Sequence, residues 1–230
     1  HHRVSRASYV ATQSDVLMRL LIVNPNTSEM TNARLRNTAL ESLGPKDCLE
    51  VMSADSGVPL IQTPAQSAAT EPAVLAAVEA YAHQFEAIII GAFSDPGLLE
   101  ARTRVDCPVF GICESAMRRA ACLVERFSIV TLGPALRAAI QHNATRYGFA
   151  AQLANIRILQ SDMQSVASSP AGFEDAFIQS CEAAISEDGA GAIIIGGGPL
   201  SGMAKTLAAY VDVPLLDGVQ CAVQQASTFR

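Results

Sequence analysis

The sequence predicts an α/β protein of two pseudo-symmetric parallel-sheet βα lobes with the active site between them. Three observations carry this expectation. Short β-branched apolar runs alternate with longer Ala-rich stretches. One block of sequence returns in the second half at a near-constant offset. Half of the 230 residues are hydrophobic and only 17% are charged, enough apolar surface for a packed core.

The apolar runs occupy 20–23, 49–52, 87–90, 108–110, 127–132, 156–159, 192–195 and 214–216. Runs this short and this continuously apolar are strands buried on both faces, which is the signature of a parallel sheet. Helices are predicted between them, over 29–43, 65–83 and 172–187 among others.

The repeat sharpens the picture. Glu86-Ala87-Ile88-Ile89-Ile90-Gly91 matches Gly191-Ala192-Ile193-Ile194-Ile195-Gly196 at an offset of 105. Val105-Asp106-Cys107-Pro108-Val109 matches Val211-Asp212-Val213-Pro214-Leu215 at an offset of 106. Duplication explains both matches and implies lobes at 18–118 and 119–230, with the C-terminal helix packing on the first lobe. Residues 1–17 show no apolar run or periodicity, read as a tag or disordered leader, and place a natural start at Met18.

Composition excludes several classes. The net charge is −6 with no basic cluster, and there is no Trp, so neither phosphate neutralisation nor base stacking has its residues. No apolar stretch reaches the roughly 20 residues that span a bilayer. The six cysteines are scattered without a CxxC pair, which points to a reducing, cytoplasmic setting and against zinc; no metal is expected.

In open α/β sheets ligands bind beyond the carboxyl ends of the strands. The loops there are Asn24-Pro25-Asn26-Thr27-Ser28, Gly91-Ala92-Phe93-Ser94-Asp95-Pro96-Gly97-Leu98, Gly133-Pro134, and Gly196-Gly197-Gly198-Pro199-Leu200-Ser201-Gly202. Asn26 stands three residues before Glu29, the spacing of a capping box, and Thr27 and Ser28 add hydroxyls at a helix start suited to a carboxylate or carbonyl. Ser94 and Asp95 sit where an N-cap belongs; the functional alternative has Ser94 on substrate and Asp95 orienting the loop. Three consecutive glycines expose backbone N–H groups to an anion or carbonyl oxygen, or serve packing alone. Beyond the fourth strand of each half, Glu114 and Asp217 are within reach of the cleft.

The segments Leu21–Ser28, Gly91–Leu98 and Pro108–Met117 together resemble the hydantoin and allantoin racemases of the aspartate/glutamate racemase superfamily. The resemblance runs nearly from Met18 to the end. It implies two α/β lobes with the site between them, no cofactor, a small-molecule substrate such as a hydantoin, allantoin or a carboxylate-bearing amino-acid derivative, and a homo-oligomer. It further implies a thiol–thiolate pair, one cysteine after the third strand of each half, passing the α-proton across the ring. The matching positions here are Ala92 and Gly197. The expected site is therefore Asn24, Asn26, Thr27, Ser28, Phe93, Ser94, Gly198, Pro199, Leu200 and Ser201 around the substrate. Glu114, Asp95, Asp217 or Cys113 are the candidates for a base in place of the thiols. The alternatives are a thiol-independent lyase, decarboxylase or hydrolase on the same scaffold, or an inactive small-molecule-binding homologue.

Overall fold

The computed structural model describes residues 18–229, so the reading of 1–17 lies outside the described residues. The first sheet holds β1 (Arg19–Asn24), β2 (Cys48–Ser53), β3 (Ala87–Ile90) and β4 (Val109–Gly111) in the order β2-β1-β3-β4. The second holds β5 (Phe127–Thr131), β6 (Leu153–Ile158), β7 (Ala192–Gly196) and β8 (Leu215–Asp217) in the order β6-β5-β7-β8. Every pairing is parallel, and both orders reverse direction after their first strand. The two loops after the middle strands of each sheet therefore splay apart and leave a crevice at each switch point. This is the two-lobed α/β architecture the sequence predicts.

The helices are α1 (Glu29–Leu40), α2 (Pro64–Tyr81), α3 (Leu98–Arg104), α4 (Ile112–Leu123), α5 (Arg137–Arg146), α6 (Met163–Ser168), α7 (Glu174–Ser186), α8 (Met203–Leu207) and α9 (Gly218–Thr228). The division expected at 118/119 falls inside α4. β3, β5 and β7 are buried throughout because both faces are covered. One hydrophobic cluster runs through both halves, from Leu20, Phe110 and Ile112 to Phe127, Ile194 and Val219, while two further clusters back the outer face of each sheet. α4 and α9 pack on one another at its centre. Their starts nearly touch: a Cβ on Gly218 would lie 2.6 Å from the Ile112 carbonyl oxygen.

Two local expectations are corrected. Asn26 does not cap α1; the cap is Ser28, whose hydroxyl accepts from Thr31 N–H at 3.2 Å. Neither Ser94 nor Asp95 caps α3; that place belongs to Gly97 at φ 72°, a backbone that costs glycine little. Its counterpart Gly202, at φ 94°, caps α8 in the second half.

Candidate functional site

The loops after β3 and β7 meet at the carboxyl ends of the two sheets. A Cβ on Gly198 would sit 2.7 Å from the Gly91 carbonyl oxygen, and one on Gly196 would sit 2.6 Å from the Phe93 ring. Only glycine allows this approach. Between the loops lies a cavity of about 50 Å³. Gly91, Ala92, Phe93 and Ser94 line it from the first half, and Gly196, Gly197, Gly198, Pro199 and Leu200 from the second. Asn26 reaches it from the first loop. Clefts that bury drug-sized ligands run to roughly 300–1,000 Å³, so this space suits a small ligand.

The cavity wall is mostly apolar, and no thiol, carboxylate or imidazole is among its lining residues. Its polar character comes from the backbone. Among the described residues, the N–H groups of Ala92, Phe93, Ser94, Gly197 and Gly198 donate to no protein acceptor. Ala92, Phe93 and Gly198 are buried, where N–H groups are rarely left unpaired, so the two loops hold backbone donors available to a carbonyl oxygen. Asn26 adds to them. Its Oδ1 accepts from Asn24 Nδ2 and from Ser28 N–H, both at 2.9 Å, while its Nδ2 donates to no protein acceptor among the described residues. Asn24 is the hub behind it, also donating to Asn32 Oδ1 at 2.9 Å. The Thr131 hydroxyl lines the cavity but is spent on the Gly196 carbonyl at 2.6 Å.

Ala92 and Gly197, the positions where the resemblance implies a thiol pair, are both among the residues lining this cavity. Ala92 is buried. Gly197 has φ 139°, a conformation that L side chains rarely adopt.

The remaining candidates lie elsewhere. Thr27 is exposed and donates its N–H to Val58, and Ser28 is the cap already described. Ser201 borders a different depression, beside Arg34 and Thr206. Asp95 is fully buried and turned to the start of α4, accepting from Cys113 N–H at 3.0 Å, Glu114 N–H at 2.8 Å and the Tyr147 hydroxyl at 3.1 Å. Burial pushes its carboxyl up to about 7 against those three donors, with Glu114 adding to the rise. Asp217 does the same work for α9, accepting from Val219 N–H at 2.8 Å and from Gly202 N–H at 2.8 Å. Glu114 is committed to Arg102 at 2.6 Å and Arg118 at 3.0 Å. Cys113 is buried in the central core, and that burial drives its thiol well above the ordinary cysteine range. None of these four groups lines the cavity.

The cover of the cavity escaped sequence reasoning. It consists of Leu60 and Ile61 after β2, Leu136 and Ile140 at the start of α5, and Met163 of α6. These residues come from segments that carry no motif and no repeat. Among the described residues no group of three or more His, Cys, Asp or Glu side chains is placed to hold a metal, and no helix is long and apolar enough to cross a membrane.

Comparison with known proteins agrees with this fold. A model of the Asp/Glu/hydantoin racemase family matches residues 20–226. A hydantoin racemase of Rhizobium meliloti is 29% identical over 210 residues, covering 91% of this chain and 87% of that one. A solved allantoin racemase from Klebsiella pneumoniae superimposes with a TM-score of 0.87 at 30% identity, covering 92% of this chain and 87% of that one. An allantoin racemase from Pseudomonas fluorescens gives the same TM-score of 0.87 at 25% identity over 92% of this chain and 90% of that one.

Proposed function

Because this chain belongs to the Asp/Glu/hydantoin racemase family, we propose that it is a racemase-like enzyme acting at the acidic α-carbon of a hydantoin-type ring or a related amino-acid derivative. The single observation that carries the reading is the cradle of unpaired N–H groups from both loops around one apolar space. A ring carbonyl held there is polarised, and the enolate formed when the α-proton leaves is stabilised more than the ground state. Apolar walls strengthen those contacts by excluding bulk water. With Ala92 and Gly197 in place of the thiols, the α-proton passes to a single water admitted beside the ring, and the enolate carbon takes a proton back from water, so that no net acid or base is consumed. The same reading has the enzyme working without a cofactor, in the cytoplasm, as a homo-oligomer.

The test is deuterium uptake at C5 of an enantiopure 5-substituted hydantoin in D₂O, followed together with its optical rotation, before and after alkylation with iodoacetamide. Uptake above the buffer rate and unchanged by alkylation is expected. Uptake at the buffer rate overturns the reading, and uptake abolished by alkylation overturns the water route.

A further inference from the structure

Each half of the protein holds the other half's loop. Arg34 of α1 reaches across to the second half, where its Nη1 donates to the Pro199 carbonyl at 2.9 Å and to Ala167, and its Nη2 donates to the Ser168 carbonyl at 2.9 Å. Asn143 of α5 reaches the opposite way, its Nδ2 donating to the Ser94 carbonyl at 2.8 Å. α1 and α5 are matching helices, each following the first strand of its half. The carbonyls they hold, Ser94 and Pro199, belong to the loops whose N–H groups form the cradle.

We propose that Arg34 and Asn143 are paired positioning residues that set the cradle across the lobe boundary. This rests on the functional reading above for its catalytic consequence, but not for its structural one. The physical argument is geometric. Neither loop has a regular ladder to fix it, and Gly197 and Gly198 stiffen nothing. A planar guanidinium bonded to three carbonyls on two segments removes that freedom, because its fork presents several donors in fixed directions. It also fastens α6, whose Met163 covers the cavity, to the loop that lines it. Arg34 makes no ion pair among the described residues, so its charge stays directed at these carbonyls. Lysine can keep the charge but cannot span all three acceptors. Asn143 lies 4% exposed, and removing its amide takes the donor from the half-buried Ser94 carbonyl.

The test is amide hydrogen exchange on the full chain for wild type, R34Q, R34K and N143A, with hydantoin deuterium exchange read on the same preparations. R34Q is expected to speed exchange at Leu200, Ser201, Val166 and Ser169 by roughly tenfold or more, since each amide bonds within the segments Arg34 ties together. N143A is expected to do the same at Asp95 and Leu98, which bond within the first loop. R34K should lie between wild type and R34Q. The catalytic signature is a fall in kcat with KM little changed, because a misplaced cradle fails chiefly in the transition state. Exchange at these amides equal to wild type, or rising equally across β5 and β7, overturns the proposal. If wild type moves no hydantoin deuteron, the functional reading fails while the exchange map still judges the clamps.

Discussion

At the scale of single residues, the proposed chemistry turns on Ala92 and Gly197. Both face the cavity, yet neither carries a proton-transfer group. They also differ from each other in a way the repeat conceals. Ala92 already has a Cβ in ordinary backbone, so A92C is expected to cost less than about 1 kcal/mol. Gly197 at φ 139° is expected to resist a Cβ, with G197C costing on the order of 1–3 kcal/mol. Urea unfolding of the two variants checks the difference, and equal stabilities would show that the loop relaxes. Both variants together place a thiol on each side of the cavity, so only the double variant is expected to racemise an enantiopure hydantoin by the two-thiol route. The alignment of Gly91-Ala92 with Gly196-Gly197 was legible from the repeat alone. The strain at Gly197 was not, because backbone dihedrals leave no trace in a glycine's identity.

At the scale of elements, Asp95 and Asp217 show how one anchor is built twice with exchanged parts. In the first half the carboxylate comes from the loop after β3 and caps α4. A Cβ on Gly111, at the end of β4, would lie 2.4 Å from it. In the second half the strand end itself carries the carboxylate, Asp217, and the loop supplies Gly202 N–H in return. The sequence placed both acids at strand ends, and the spacing could not tell a cleft-facing base from a cap. The Asp95 role predicts a pH signature. Its native pKa is raised from 3.8 to about 7, chiefly by burial, while Glu114, Tyr147 and Cys113 are the titratable groups around it. The native state therefore holds an extra proton between those values, so this contribution is full below about 3.8 and lost as pH rises through about 7. Relative to D95N, wild type is expected to lose on the order of 2–3 kcal/mol between about pH 5 and pH 8, read from urea midpoints. A difference independent of pH would show that Asp95 is ionised throughout that range.

At the scale of the whole molecule, two matching sheets bring their switch points together over a shared core, and that places the glycine loops face to face. The strands and the two-lobe plan were readable because buried parallel strands are uninterrupted apolar runs and one block of them repeats; the order of strands within each sheet was not. The cover was not, since Leu60, Ile61 and Met163 sit in irregular segments or a short helix whose position depends on tertiary contacts. The central claim is that this cleft, with its backbone cradle, is where substrate sits. A crystal soaked with a 5-substituted hydantoin tests it most directly. The account predicts a ring between the two loops with one carbonyl oxygen about 2.7–3.1 Å from N–H groups of both Ala92–Ser94 and Gly197–Gly198. A ring bound instead beside Glu114 and Arg102, or on an outer helical face, would contradict it.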